Sequence, residues 1–550
     1  MNGADLLVQA LREAGVEFIS VLAGNGTNPF MDACRRGGIR LVDTRNEQTA
    51  AYMADAYGRL TGRVGVCLVS ASVGHANALI GCVNAYFDGS PMLLISGESD
   101  ERDSGLCKFQ EMPEQVDMAT PVCKYARRVV EPQKLAFYLH EALNAATSGR
   151  PGPVHLTIPM DVFAAPVDPA KAPHKAAPQA RVQQHAAGDA GLVAQASAML
   201  AEAKRPLCVA GSGAFYADAG KALAAFAALT DIPVVVPIWE RSVVDEPLPQ
   251  FLGVIGAASG EPPLLADADL LLILGVTPDY RLSYLQPPKV RPDLRIVRVD
   301  VDPVELHRRR EPDVAIQGDI RSVLEGLTAA MRQGKAQPKS DWMAEARKRE
   351  RAFRARWLER PAPAEPMTGR HVIDALRPFA NRDDVLFLVD GGNIGQWAHM
   401  ALADRYPSRW LTCGASGVVG WGMGGAMAAR LAHPDRPVIL LSGDGSIGFN
   451  IADLESATRH HLPFVVVLAD DKSWGIVQTG QEKAYGKDCL MACQLGPVRY
   501  DLVAEGFGCR GVRAETPQAL QQAIDQALQA GCVTLIHVPI QVLAPSDLPQ

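Results

Sequence analysis

Two acidic loops in the last third of the chain have the residue types that hold a metal ion and a phosphate group. In the first loop, an apolar run at residues 438–441 is followed by Gly443, Asp444, Gly445 and Ser446. Glycines let the backbone approach a ligand closely, and the start of a helix offers free N–H groups to phosphate. One carboxylate holds Mg²⁺ poorly, because the ion prefers octahedral oxygen coordination. Alone, the Gly-Asp-Gly sequence is equally well a tight turn.

The second loop supplies the missing carboxylate. The apolar run at residues 464–468 leads to Asp470, Asp471 and Ser473, and Asp471 follows Asp444 by 471 − 444 = 27 residues. That interval holds one helix and one strand, so both loops are expected at the same edge of a parallel sheet. Two such loops suit a cation that bridges to a diphosphate. The alternative is that the two acids only cap their own loop.

A third acidic residue of interest lies near the start of the chain. An apolar run at residues 39–43 leads into Glu47, which begins a helical pattern that continues through residues 48–59. An acid in the first turn of a helix is favoured by the helix dipole, which is the structural alternative. In a dry site, a glutamate also shares its proton with a ring nitrogen and so acts as an acid–base group.

The elements that must position these residues follow an alternating pattern of short apolar runs and helices, which includes a helical pattern at residues 450–460. Such runs are typical of parallel strands buried on both faces. The pattern therefore predicts an α/β fold with mainly parallel sheets flanked by helices. The predicted strands, besides those already given, are 64–69, 92–95, 207–210, 234–236, 270–274, 296–301, 385–389 and 533–538.

Composition divides the chain into three domains and excludes several classes of protein. Linker-like segments leave predicted domains at residues 1–163, 188–333 and 365–550. The formal net charge of −7 argues against a nucleic-acid or anionic-membrane binder. There is no signal-peptide pattern and no apolar run of membrane-spanning length. The 11 scattered cysteines indicate reduced thiols, so we expect a cytoplasmic protein.

The two motifs together resemble the cofactor sites of thiamin-diphosphate-dependent enzymes, in the group of acetolactate synthase, benzaldehyde lyase and 2-oxo acid decarboxylases. Their signature is Gly-Asp-Gly, about 27 residues and an Asn-Asn pair; here Asp470 and Asp471 replace that pair. The resemblance implies that Asp444, Asp471 and the Ser473 carbonyl bind Mg²⁺. It also implies a pyrimidine-binding first domain, a central domain and a diphosphate-binding third domain, with Glu47 hydrogen-bonded to the cofactor's pyrimidine.

The resemblance extends to further residues that would bind the cofactor. The Gly417 carbonyl would accept a hydrogen bond from the aminopyrimidine, and Val419 would support the bent shape of the cofactor, unless Val419 is an ordinary core residue. The other residues with an implied cofactor-binding role are Asn77, Asn393, Gly443, Gly445, Ser446, Trp474, Gly475 and Ile476.

Five residues are candidate substrate contacts, and one more is a catalytic candidate. Val477 stands where related decarboxylases carry a glutamate; without that proton donor, attack on a second carbonyl is favoured over simple decarboxylation. Gly480 leaves room for a large acceptor. Gln110 matches a glutamine shared by the carboligases, or is a solvated amide. His75 is either a proton shuttle or a packed imidazole. The remaining two substrate candidates, Asn25 and Gly26, follow the first strand.

The resemblance thus implies a carboligase that decarboxylates a pyruvate-like 2-oxo acid and transfers the acyl group to a carbonyl acceptor. The alternatives are a benzaldehyde-lyase-like enzyme acting on 2-hydroxy ketones and, from another class, a non-catalytic scaffold that binds the cofactor. Gly211 and Gly213 follow a strand of the central domain but lack a third glycine, and no FAD is expected there. The cofactor would lie between the first domain of one subunit and the third domain of another, in a homodimer or homotetramer.

Overall fold

Three parallel sheets, one in each third of the chain, form the architecture of the protein. The computed structural model describes residues 1–173, 185–257, 260–358, 366–402 and 405–542. The predicted boundary at residue 365 and the predicted end at residue 550 lie outside these ranges. Within them, each sheet has six strands, and every strand pairs with its neighbours in parallel. The predicted fold class of three α/β domains is confirmed.

The first sheet has the order β2-β1-β3-β4-β6-β5. Its central strands are buried on both faces, because helices cover each side. The strands are β1 (Phe18–Leu22), β2 (Arg40–Asp43), β3 (Gly65–Val69), β4 (Met92–Glu98), β5 (Tyr125–Arg128) and β6 (Pro153–Pro159). The helices are α1 (Gly3–Glu13), α2 (Asn28–Gly37), α3 (Glu47–Thr61), α4 (Val73–Asp88), α5 (Gln115–Ala119), α6 (Leu135–Thr147) and α7 (Met160–Ala164).

The middle sheet has a different strand order, β12-β11-β10-β7-β8-β9. The chain builds the sheet outward from β7 to β9 on one side, then crosses to β10 and builds outward to β12 on the other side. Its strands are β7 (Pro206–Ala210), β8 (Val234–Pro237), β9 (Phe251–Ile255), β10 (Leu270–Leu274), β11 (Arg295–Asp300) and β12 (Val314–Gln317). Its helices are α8 (Ala190–Glu202), α9 (Ser212–Tyr216), α10 (Gly220–Thr230), α11 (Pro303–Leu306), α12 (Ile320–Gln333) and α13 (Ser340–Leu358).

The third sheet repeats the strand order of the first, as β14-β13-β15-β16-β18-β17. Its strands are β13 (Leu386–Asp390), β14 (Trp410–Thr412), β15 (Val438–Gly443), β16 (Val465–Asp470), β17 (Arg510–Arg513) and β18 (Thr534–Pro539). Its helices are α14 (Gly369–Ala380), α15 (Asn393–Ala401), α16 (Trp421–Ala432), α17 (Asp444–Asn450), α18 (Asp453–Arg459), α19 (Gly475–Tyr485), α20 (Tyr500–Gly506) and α21 (Pro517–Ala530).

Two features of the third domain differ from the sequence prediction or extend it. The helix expected at residues 450–460 is α18 (Asp453–Arg459), and a separate short helix, α17, begins before it at Asp444, because Gly443 ends β15 in an extended conformation and the acid occupies the first helical turn. The first and third domains pack through α3 and α16, where Gly424 leaves room for Tyr52. None of the described helices is long and apolar enough to cross a membrane.

Candidate active site

The third domain brings three carboxylates together where β15 and β16 end side by side. Asp444 is buried, and its Oδ2 atom has no hydrogen-bond partner. Burial, together with the neighbouring charges of Asp471 and Asp470, raises the pKa of Asp444 to about 8. An unpartnered buried oxygen among like charges is the environment that a divalent cation relieves. The chemistry of the cluster therefore fits the metal that the sequence predicts.

The contacts of Asp470 and Asp471 separate their roles. Asp471 accepts hydrogen bonds from Asn393 Nδ2 at 3.0 Å and from the Ser473 hydroxyl at 3.1 Å, and burial raises its pKa. Burial would raise the pKa of Asp470 too, but the hydrogen bond and charge of His537, 2.9 Å away, hold it below the usual range. Asp470 is thus engaged with His537, and Asp471 is the better candidate for a metal ligand.

The protein offers few side-chain ligands besides these carboxylates. In the described ranges, no group of three or more His, Cys, Asp or Glu side chains is arranged to hold a metal ion. A divalent cation here would need main-chain and ligand oxygens to complete its coordination. That requirement agrees with the predicted use of the Ser473 carbonyl and of a diphosphate, although neither role is tested by the contacts.

Glycines and an aromatic side chain complete the third-domain part of the site. A Cβ atom at Gly445 would lie 2.8 Å from the Trp474 ring, and one at Gly475 would lie 2.6 Å from Asp471 Oδ2. Neither position therefore tolerates a side chain without movement. Gly443 precedes Asp444, Ser446 follows Gly445, and Ile476 follows Gly475 in the chain, and the approach of Gly445 to Trp474 brings the two loops together.

The predicted loop of Gly417 and Val419 lies just before α16. Gly417 is exposed with φ +72°, and a Cβ atom there would have open space around it. The Gly420 carbonyl accepts a hydrogen bond from Asn450 Nδ2 at 2.9 Å, which connects this loop to the end of α17. The exposed loop is thus adjacent to the carboxylate cluster, as a shared cofactor site requires.

Sequence reasoning missed Asp390, a buried acid at the end of β13. Its Oδ2 atom accepts a hydrogen bond from the Gly422 amide at 2.8 Å, and burial raises its pKa to about 7. It therefore fixes the start of α16, directly after the Gly417 loop. The sequence contained a signal, because Asp390 stands at a strand end before two glycines, as Asp444 stands between two.

The first domain forms a second group of predicted residues around Glu47, at the start of α3. The Asn77 side chain donates to the Glu47 carboxylate at 2.7 Å. Gly74, in the first turn of α4, lies close to the same carboxylate: a Cβ atom there would be 3.3 Å from Glu47 Oε1 and would collide with the Ser70 hydroxyl. Glu47 and Asn77, predicted separately from the sequence, are therefore neighbours in the structure.

Asn25, Gly26 and Gln110 lie at the same edge of the first sheet. Asn25 donates to the Phe109 carbonyl at 2.9 Å, which places the Gln110 loop beside it. Gly26 has φ +84° and contacts the backbone of Glu98. Gln110 also has a positive φ of 58°, and its buried Oε1 atom has no hydrogen-bond partner. A polar group held in this way is available to a ligand.

Of the two roles left open for His75, its surroundings are those of a packed imidazole, and a contact with the substrate stays a prediction. Its side chain is fully buried, with Nδ1 2.8 Å from the Ser96 hydroxyl and the ring 4.7 Å from that of His155. Burial lowers its pKa to about 4, so the imidazole is neutral. His75 is a packed imidazole of the core, the alternative left open by the sequence.

The two remaining substrate candidates lie on the surface of α19. Val477 is 49% exposed, and nothing lies within 4 Å of the Cβ position of Gly480. Both therefore face open space next to the third-domain loops. Their proposed contact with a substrate stays a prediction.

The first-domain and third-domain groups are not joined within one chain. Among the described residues, no hydrogen bond or ion pair connects Glu47 to the segments 443–446 or 470–476. Instead, Thr49 on α3 donates to Asp453 on α18 at 2.5 Å, away from both groups. Within one chain, the group with Glu47 and the group with Asp444 are therefore not in direct contact, and we call them the two half-sites.

A cavity of about 730 Å³ lies where strands of the middle sheet end, between the middle domain and the first domain. Ser212, Gly213, Gly275 and Asp300 line it on the middle-domain side, and Arg150 lines it on the first-domain side. The expectation that this domain holds no FAD is untested and stays a prediction.

Comparison with known proteins finds the same division of the chain. Residues 1–118 match the family profile described as "Thiamine pyrophosphate enzyme, N-terminal TPP binding domain". Residues 193–327 match the central domain of that family, and residues 390–538 match its C-terminal TPP binding domain. The two TPP-binding profiles cover the two half-sites described above.

Full-length relatives give the same result. The acetolactate synthase large subunit of Parasynechococcus marenigrum is 30% identical over 98% of this chain and 88% of its own length. This chain belongs to the acetolactate synthase group of thiamine pyrophosphate enzymes. Acetolactate synthase isozyme 1 large subunit of Escherichia coli is 28% identical over 98% of this chain and 94% of its own length. A probable acetolactate synthase large subunit of Methanocaldococcus jannaschii is 27% identical over 98% and 92%.

Membership of this group makes the chain a thiamin-diphosphate-dependent enzyme that forms carbon–carbon bonds. The resemblance inferred from the sequence is therefore confirmed. Membership of this group of enzymes also argues against a non-catalytic scaffold.

Proposed function

We propose that this carboligase decarboxylates a pyruvate-like 2-oxo acid and joins the acyl unit to an aldehyde or ketone. When bound, thiamin diphosphate supplies the electron sink that lets the bond next to a carbonyl break and re-form. The observation that carries the proposal is the pair of half-sites, one with a glutamate and one with a carboxylate cluster, in a chain similar throughout to acetolactate synthase large subunits.

In this proposal the third domain holds Mg²⁺ and the diphosphate. Asp444 and Asp471 supply carboxylate oxygens, Ser473 supplies its carbonyl, and Asn393 keeps Asp471 in place. The unpartnered oxygen of Asp444 supports this assignment. The remaining residues proposed to bind the cofactor there are Gly417, Val419, Gly443, Gly445, Ser446, Trp474, Gly475 and Ile476.

Glu47 is the proposed catalytic acid of the first domain. Its carboxylate would share a proton with the pyrimidine ring of the cofactor, and Asn77 would hold the carboxylate in position. The Gln110 side-chain amide would donate from Nε2 to the reacting carbonyl groups, and Asn25 and Gly26 would line the same side. These roles are proposals for the assembled site.

Glu47→Gln tests the proton role directly. At saturating cofactor, we expect exchange of the thiazolium C2 proton to slow on the order of 10²–10⁴-fold, while the affinity for thiamin diphosphate changes little. Glu17→Gln, a change at an exposed glutamate, is the matched control. Undiminished exchange in Glu47→Gln would remove Glu47 from the mechanism.

The substrate class is tested by the products. The proposal expects pyruvate to release CO₂ and give a new 2-hydroxy carbonyl compound when an acceptor is present. Cleavage of 2-hydroxy ketones without CO₂ release would instead support the benzaldehyde-lyase-like alternative. The open space beyond Gly480 would accommodate the larger acceptors of that alternative. Both 2-oxo acids and 2-hydroxy ketones are therefore needed in the assay.

A homodimer is the proposed minimal unit, with homotetramers formed by pairing of dimers. In such a dimer, the Glu47 half-site of one copy would face the Asp444 half-site of the other, and the two are not in direct contact within one chain. Mixing Glu47→Gln with Asp444→Asn subunits tests this, since a mixed dimer would contain one intact site. Random mixing should restore about one quarter of the wild-type activity, because half the dimers are mixed and each has one good site of two. No recovery would contradict sharing.

A cytoplasmic location is proposed on the state of the cysteines. All eleven are free thiols in the structure, and Cys107, Cys489 and Cys532 are exposed. Exposed unpaired thiols suit a reducing compartment.

A further inference from the structure

The loop that contains Gly417 and Val419 is fixed at its beginning by helix α4 of the first domain. Asp88 Oδ1 accepts a hydrogen bond from the Ala415 amide at 2.9 Å, and Asn84 Oδ1 accepts one from the Ser416 hydroxyl at 2.5 Å. Asp88 and Asn84 are both buried. Gly414, just before this point, has no room for a side chain, because a Cβ atom would collide with Asp88 Oδ2.

The middle domain holds the carbonyl group of the same residue, Ala415. The Tyr280 hydroxyl donates to the Ala415 carbonyl at 3.2 Å. The N–H of Ala415 is held from the first domain and its C=O from the middle domain, although the residue belongs to the third domain. All three domains therefore meet at one residue.

The end of the loop is fixed to the first domain as well. The Trp421 indole donates to Asp55 Oδ2 at 3.0 Å, and the Arg59 guanidinium lies over the Trp421 ring at 5.1 Å. Arg59 is fully buried and pairs with Asp55 at 3.7 Å and with Asp88 at 3.5 Å. Burying such charges is costly, so this network is a poor choice for stability alone.

Between these two anchors the loop has few contacts. Gly417 is exposed with open space around it, and Val419 is only half-buried. The positions of both residues are therefore set by the anchors at Ala415 and Trp421, together with the hydrogen bond from Asn450 to the Gly420 carbonyl.

We propose that Asp88 and Tyr280 are positioning residues that hold the Ala415 peptide so that Gly417 and Val419 face the cofactor. This inference rests on the proposed function, in which Gly417 and Val419 contact thiamin diphosphate. Neither Asp88 nor Tyr280 touches the cofactor in this account, and both act through Ala415.

Tyr280→Phe is the first test, because Tyr280 is 47% exposed and the change removes only the hydroxyl. Two rates are measured: amide hydrogen exchange in residues 414–419 of the cofactor-free protein, and C2 proton exchange at saturating cofactor. We expect the first to rise and the second to fall, each by roughly 3–10-fold, with an unchanged melting temperature. Tyr284→Phe, on the same segment and 46% exposed, is the control and should change neither rate.

Asp88→Ala and Asp88→Asn form the second test. Asparagine retains an acceptor for the Ala415 amide and alanine does not, so Asp88→Asn should keep more of the amide protection and of the C2 exchange rate than Asp88→Ala. Wild-type rates in Tyr280→Phe, or equal losses in the two Asp88 variants, would overturn the positioning role. If wild-type protein itself did not accelerate C2 exchange, the proposed function would fail instead, so the two failures are distinguishable.

Discussion

Replacing Asp444 by asparagine should stabilise the cofactor-free protein. In the folded chain, burial and the charges of Asp471 and Asp470 raise the pKa of Asp444 from 3.8 to about 8. The unfolded chain loses this proton first as the pH rises, because its pKa is lower. The free energy of unfolding therefore falls progressively as the pH rises from about 4 to about 8, and the loss is largest at the alkaline end of this range.

The size of the effect follows from the shift. One pKa unit corresponds to about 1.4 kcal/mol, so a shift of roughly four units sets an upper limit of about 6 kcal/mol. The neighbouring carboxylates share this cost, which makes a few kcal/mol at pH 8 the expected gain of Asp444→Asn. For a protein of this size, that corresponds to a melting temperature higher by several degrees, on the order of 2–4 °C per kcal/mol.

Thermal melting at several pH values, with and without Mg²⁺ and thiamin diphosphate, is the assay. Without ligands, Asp444→Asn should melt above wild type at pH 8 and close to it at pH 4. With ligands at about 100 times Kd, wild type should gain about 2.7 kcal/mol and the variant little, which removes most of the difference between them. Asp435→Asn, at an exposed acid, should leave both curves unchanged. A variant that is less stable than wild type without ligands at pH 8 would refute the reasoning.

Three further predictions concern packing and pH. Gly26→Ala should lower the free energy of unfolding by about 3 kcal/mol, because φ is +84° and the new Cβ would lie 2.6 Å from the Glu98 amide. Gly38→Ala, with φ +77° and open space around it, should lower it by about 1 kcal/mol. Equal losses for the two variants in urea unfolding would contradict this. Burial lowers the pKa of His75 in the folded chain to about 4. As the pH falls below about 6.5, the unfolded chain therefore binds a proton at this residue before the folded chain does, and up to about 3 kcal/mol of stability should be lost by pH 4. His75→Asn should flatten that part of the stability curve, and an unchanged slope would argue against a buried neutral imidazole. Leu272→Ala, in the middle of fully buried β10, should cost about 3 kcal/mol in chemical unfolding, and a loss under 1 kcal/mol would contradict its core position.

Most of the central strands could be predicted from the sequence because both of their faces are buried, although β6 (Pro153–Pro159), which is equally buried, was not predicted. The predicted strand at residues 270–274 has the same bounds as β10 (Leu270–Leu274), which is apolar throughout. The edge strands β5 (Tyr125–Arg128) and β17 (Arg510–Arg513) were not predicted. They are short and rich in arginine, since an edge strand is covered on fewer sides and needs no apolar run.

The site was predictable where its residues are close in sequence or follow a strand. Asp444 and Asp471 were identified from strand ends and Asn393 from the family resemblance, and the structure places the three together. The contact of Asp88 with Ala415 spans 327 residues and follows no periodic pattern, so no sequence signal indicated it. His75 had the right chemistry for a proton carrier, but its complete burial depends on packing against β4 and β6 that its own neighbours in the chain do not reveal.

Helix α3 has a consequence for the proposed dimer that concerns both catalytic pockets at once. Glu47 is in its first turn, and Asp55, about 12 Å further along the axis, binds the indole at the end of the Gly417 loop. In a shared-site dimer, the glutamate would serve the coenzyme seated on the neighbouring subunit, while Asp55 would shape the pocket on its own subunit. Helix α3 would thus be part of both pockets, and a ligand that tilts the helix in one pocket would also move the residues that it contributes to the other.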